Sequence, residues 1–108
     1  MISMDYSLLG LGPATSLVTN VMIDKWGSKV RVSCLYDPVG LRRPYRLFFE
    51  YCYDIKWEVI QQEDVEDSEA DLLGFSISGE GHEYVTVIHT DIFELTILHG
   101  NFVVDKDW

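Results

Sequence analysis

The stretch DIFELTILH, Asp91 to His99, places Phe93, Leu95 and Ile97 on one face of an extended chain and Glu94 and Thr96 on the other. A period of two is the mark of a half-buried strand, because successive side chains of a strand point to opposite sides. IKWEV, Ile55 to Val59, repeats the pattern, with Ile55, Trp57 and Val59 opposed to Lys56 and Glu58. Working outward from these two, similar segments occur near residues 17–24, 28–36, 44–52, 72–78, 84–90 and 101–105. Between them lie Lys25-Trp26-Gly27-Ser28, Asp37-Pro38-Val39-Gly40, Gly79-Glu80-Gly81 and His99-Gly100-Asn101, each carrying the Gly or Pro that turns require. Short strands at such regular spacing predict an all-β fold, a single antiparallel β-sandwich or partly open barrel. Phe48 or Phe49, Trp57, Phe93, Leu95 and Ile97 are expected in its core.

A long amphipathic helix is absent from the pattern. In QQEDVEDSEADLL, Gln61 to Leu73, Val65 and Leu72 are seven apart, but Ser68 and Glu69 interrupt the apolar stripe that a packed helix needs. Residues 61–71 read as an acidic loop or short helical turn. The 108 residues correspond to one domain, 1–108, and a composition 47% hydrophobic and 13% aromatic is that of a chain with a packed core rather than a disordered one. Two cysteines, Cys34 and Cys52, outside any CxxC spacing, are too few for a disulfide-dependent scaffold and read as reduced. Asp5 stands where a secretory signal carries positive charge, and no segment approaches the roughly 18 apolar residues of a membrane span. A soluble, cytoplasmic protein without membrane contact is expected.

The net charge of -10 is unevenly spread. Residues 1–49 hold six basic and three acidic side chains, net +3, whereas residues 50–108 hold two basic and fifteen acidic ones, net -13. So acidic a chain repels a polyphosphate, which argues against nucleic acid even though Arg42, Arg43 and Arg46 cluster beside Tyr45. Six carboxylates, Glu63, Asp64, Glu66, Asp67, Glu69 and Asp71, fall within nine residues. A solvated loop is the plainest reading. An EF-hand calcium loop is not matched, since from Gln61 onward no Gly occurs before Gly74. The functional reading is a docking surface for a basic partner, because a single-sign patch steers encounter. Trp108, a terminal indole, joins these carboxylates as a partner-binding candidate.

His82, His89 and His99 are the only histidines. His89 shares parity with Val85 and Val87, and His99 with Phe93, Leu95 and Ile97, so both fit the end of a core face. A metal- or small-ligand-binding β module using His82, His99 and nearby carboxylates such as Glu80 is the alternative function, although no HExxH or CxxC pattern supports it. Cys34 shares parity with Val30 and Val32, Cys52 follows the aromatic run Phe48, Phe49 and Tyr51, and no serine lies in a GxSxG context, so no catalytic centre and no cofactor are expected.

The layout of YRLFFEYCYDIKWEVI, an acidic insert and VIHTDIFELTILHGNFVV resembles, in texture over the last two thirds of the chain, small β-rich bacterial proteins of uncharacterised or immunity-protein type. The resemblance implies a bacterial cytoplasmic protein that binds, an immunity-like or regulatory partner of a basic protein. A homodimer is a further expectation: Leu17 to Ile23 carries no charge to blunt a sheet edge, and Arg42, Arg43 and Arg46 are suited to self-association with the acidic stretch.

Overall fold

The alternation reappears as burial. In the computed structural model, which describes residues 9, 11, 14–60, 69–81 and 83–106, Phe93, Leu95, Ile97 and His99 are buried and the residues between them only partly so. Eight strands follow in chain order: β1 Ser16–Asp24, β2 Lys29–Tyr36, β3 Arg43–Glu50, β4 Asp54–Val59, β5 Ala70–Glu80, β6 Glu83–Thr90, β7 Phe93–His99 and β8 Asn101–Asp105. A single 3-10 turn, Lys25–Gly27, joins β1 to β2, its first N–H capped by the Asp24 carboxylate. The strands form one antiparallel sheet in the order β4-β7-β6-β5-β1-β2-β3-β8, an all-β architecture whose sheet does not close into a ring. Ala70 and Asp71 belong to β5, so the acidic turn expected over 61–71 yields its last two residues to a strand; 61–68 lie outside the described residues.

Gly100 alone separates β7 from β8, yet the two do not pair: β7 lies between β4 and β6, and β8 lies beyond β3. The turn read at His99-Gly100-Asn101 is a corner at which the chain passes from one half of the sheet to the other. Gly100 N–H donates to Glu50 O at 3.1 Å and Tyr53 N–H donates to Leu98 O at 2.9 Å, so the β3/β8 ladder runs on around the corner into the β4/β7 ladder. The sheet is thereby folded over into two halves, β4-β7-β6-β5 and β1-β2-β3-β8, linked elsewhere by a ladder of only Leu17 with Asp71 and Val18 with Ala70.

Between the halves lies one core. Val30, Val32 and Cys34 of β2 and Tyr45, Leu47 and Phe49 of β3 are buried together with Phe75, Ile88, Leu95 and Ile97. Aromatic contacts stitch the halves: Phe49 meets the His99 ring edge-on at 4.9 Å and stacks on Phe102 at 5.1 Å, while Phe102 packs at 5.7 Å on Phe75. Phe49, not Phe48, takes the core position. In β6 the core face is Thr86, Ile88 and Thr90, so Val85, Val87 and His89 lie on the outer face, the reverse of the parity read for His89. Two threonines inside the fold made the polar half of that strand look like its exposed half. Trp57 departs further: its parity is right, but 48% of its surface is exposed.

Candidate functional site: the open seam between β1 and β4

β4 is an edge strand. Its side chains Ile55, Trp57 and Val59 stand opposite Ile97, Leu95 and Phe93, on the core side of the sheet, and the Trp57 ring stacks on Phe93 at 4.4 Å and 11°. Even so, Trp57 and Val59 remain 48% and 41% exposed. The reason lies across the fold, in β1. A bulge between Val18 and Asn20 turns Val21 and Ile23 to the core side, opposite Val32 and Val30. The β1/β5 ladder stops at Val18, so among the described residues no strand covers the far half of β1, and Ile23 is 52% exposed. Apolar residues of β1 and β4 thus face a seam that none of the described residues fills.

The seam opens into a cleft of about 340 Å³, with Val18, Ala70, Ile92 and Phe93 beneath it, Trp57 on one wall and Val21 on the other. Glu69, an acidic residue, joins the lining. At its far end the seam is pinned, because Cys52 N–H donates to Ser28 O at 2.9 Å. There Trp26, at φ 61°, is fully exposed beside Tyr53. The chain leaves the cleft at Val59 and returns to it at Glu69, so the acidic segment begins and ends on this site.

Of the residues expected to bind a partner, Glu69 lines the cleft, and Asp71 lies in β5 opposite Leu17, its N–H donating to Asp91 Oδ1 at 2.8 Å. Glu63, Asp64, Glu66, Asp67 and Trp108 lie outside the described residues. The arginines are elsewhere. Arg42, at φ 52°, donates from Nη1 to Pro38 O at 2.8 Å, Arg43 opens β3 opposite Tyr36, and the exposed Arg46 stands opposite Asp105 of β8. Three strand spacings separate β3 from β5, so this patch and the described end of the acidic stretch do not meet within the chain. Val21, Ile23 and Ile92 are the site residues that sequence reading missed. The uncharged run Leu17 to Ile23 is the signal of Val21 and Ile23, while Ile92 has none in the sequence.

His99 is closed to a metal. Its Nδ1 lies 2.9 Å from Asn101 O, which can only accept, so Nδ1 carries the proton, and Nε2 accepts from Thr86 Oγ1 at 2.7 Å. Burial pushes its pKa below the ordinary histidine value, against the opposite pull of the Asn101 carbonyl. The proposed pairing with His82, which lies outside the described residues, therefore lacks an open ligand at His99. His89, on the outer face, sits 4.0 Å from Glu94. Cys34 and Cys52 are free and buried thiols, and burial lifts Cys34 to about 12, so neither is a poised nucleophile. Among the described residues no group of three or more His, Cys, Asp or Glu is placed to hold a metal ion, and no helix is long and apolar enough to cross a membrane.

Fold and seam together define a class: an all-β chain whose single antiparallel sheet folds over on itself and leaves an apolar seam between an edge strand and a bulged one. The chain is similar in fold to the crystal structure of an uncharacterized protein from Neisseria gonorrhoeae, with a TM-score of 0.63 over 88% of this chain and 93% of that one at 10% sequence identity. No family model and no curated protein matches the sequence.

Proposed function

We propose that this chain is a cytoplasmic binding protein, immunity-like or regulatory in role, that docks a basic partner in the seam between β1 and β4 and has no catalytic centre of its own. One observation carries the reading: Trp57 and Val59 are held on the core side of the sheet yet half exposed over a cleft with Glu69 in its lining. An aromatic anchor over an apolar hollow is the make-up of a binding hot spot. The charge fits a basic occupant, since residues 50–108 carry net -13 and four further carboxylates lie in the segment that joins Val59 to Glu69. A metal-binding role would need donors other than His99, whose two ring nitrogens are both engaged.

Affinity capture from the lysate of the native cell tests this, with wild-type, Trp57→Ala and Glu69→Lys columns washed at low and high salt. A basic protein retained by the wild-type column at low salt and lost from both variants is the expected result. Equal retention by all three columns, or retention of acidic proteins only, overturns it.

A further inference from the structure

The edge of β4 that no described strand covers carries a self-complementary code. Ile60 N–H donates to Ile92 O at 2.7 Å, and the β4/β7 register then assigns the main-chain groups of Asp54, Lys56 and Glu58 to β7. Those of Ile55, Trp57 and Val59 point the other way, in the plane of the sheet, and among the described residues no strand meets them. The side chains of the same three residues point to the core side of the sheet, Trp57 and Val59 into the cleft, at right angles to their backbone groups, so an edge contact leaves that face open.

Among the described residues the outer-face charges of β4 are poorly served. Glu58 stands directly opposite Glu94, a like-charge pair, and Lys56 stands opposite Thr96. We propose that a second copy of this chain supplies what is missing: two β4 strands pair antiparallel about a two-fold axis, Trp57 against the partner's Trp57. In that register Ile55 meets the partner's Val59, so every outward main-chain group meets another outward one, giving roughly six hydrogen bonds. Lys56 then lies opposite the partner's Glu58, and by symmetry the pair forms twice. A slip of two residues in one direction sets Lys56 against the partner's Lys56, and in the other Glu58 against the partner's Glu58. A slip of one residue sets outward groups against inward ones. Of these registers only the one centred on Trp57 satisfies both backbone and charge. The axis stands perpendicular to the sheet, so the two clefts open on the same side, one on each flank of it. The dimer surface is therefore β4 and not the Arg42, Arg43 and Arg46 patch, and it forms whether or not the cleft takes a basic partner.

Light scattering coupled to size exclusion at tens of micromolar protein tests the pairing. Val59→Pro deletes an N–H that points away from β7 and leaves the β4/β7 ladder whole, and Lys56→Glu puts like charges at both symmetry-related positions. Each is expected to weaken association at least roughly tenfold, about 1.4 kcal/mol, with the wild-type circular dichroism spectrum retained. The exchange Lys56→Glu with Glu58→Lys is expected to restore the dimer, because it reverses both members of each pair. Glu58→Lys alone separates the two roles of that residue: it relieves Glu94 and is expected to raise the melting temperature while abolishing the dimer. A wild-type monomer, a dimer that survives both Val59→Pro and Lys56→Glu, or an exchange variant that stays monomeric overturns the proposal. Trp57→Ala, which empties the cleft wall and keeps the backbone, is expected to remain dimeric even where it loses the basic partner.

Discussion

Thr86 and His99 share a hydrogen bond of 2.7 Å at the centre of the fold, both side chains fully buried and on neighbouring strands. With Nδ1 committed to the Asn101 carbonyl at 2.9 Å, the hydroxyl of Thr86 is the donor that satisfies Nε2. Thr86→Val keeps the shape of the side chain and strands that nitrogen. It is expected to lower unfolding free energy by about 1–3 kcal/mol, the penalty of an unpaired buried acceptor, read by urea titration with an unchanged slope.

The same histidine makes stability depend on pH. Its folded-state pKa lies below the unfolded value near 6.5, so under acid conditions the unfolded chain binds a proton that the folded chain resists. This contribution is fully present above about pH 6.5 and is lost as pH falls toward the folded value. Unfolding free energies at pH 7.5 and 5.5 are expected to differ more in the wild type than in His99→Gln. The comparison of slopes, not of absolute stabilities, isolates the effect, because every other ionisable group is common to both proteins.

Truncating two aromatic side chains should separate core from seam. Phe49 is fully buried between His99 and Phe102, so Phe49→Ala is expected to destabilise by about 3–5 kcal/mol. Trp57, stacked on Phe93 on one side only, is expected to lose about 1–2 kcal/mol on truncation to Ala. Thermal or denaturant unfolding of the two variants checks the order. A Trp57 variant as damaged as the Phe49 variant would mean that the tryptophan is core after all.

The cysteines offer a simple chemical probe. Burial lifts Cys34 to about 12 and raises Cys52 as well, so neither thiol is ionised at mild alkaline pH. Aromatic disulfide reagents at pH 8 are expected to leave the native protein unlabelled and to modify both thiols once denaturant is added. Rapid labelling in the absence of denaturant would place a thiol in a far more open setting than the fold gives it.

Strand positions were legible because most strands have one covered face. Val30, Val32 and Cys34, or Phe93, Leu95 and Ile97, advertise that face by their spacing, and both sets are buried. What a two-residue period does not report is depth. Trp57 has the same parity as a core residue, and only the sheet order, which puts β4 at the edge, leaves it half exposed. Nor does the period reveal which half of a chemically mixed strand faces inward: in β6, Thr86 and Thr90 are buried and Val85 and Val87 face out. The cleft depends on the bulge that brings Val21 and Ile23 round to the core side, a one-residue insertion with no mark in the run Leu17 to Ile23.

The corner at Gly100 also governs the order in which the molecule can be made. β3 finds its outer neighbour in β8, and β4 pairs, among the described residues, with β7 alone, so residues 43–59 wait for residues 93–105 before either ladder can close. The β1/β2/β3 meander and the β5/β6 hairpin are local and can form while the chain is still growing, but the fold cannot lock until its last strands emerge from the ribosome. Until then β3 and β4 carry bare edges, and the charges at Arg46, Lys56 and Glu58 are the features that discourage them from pairing with the wrong chain.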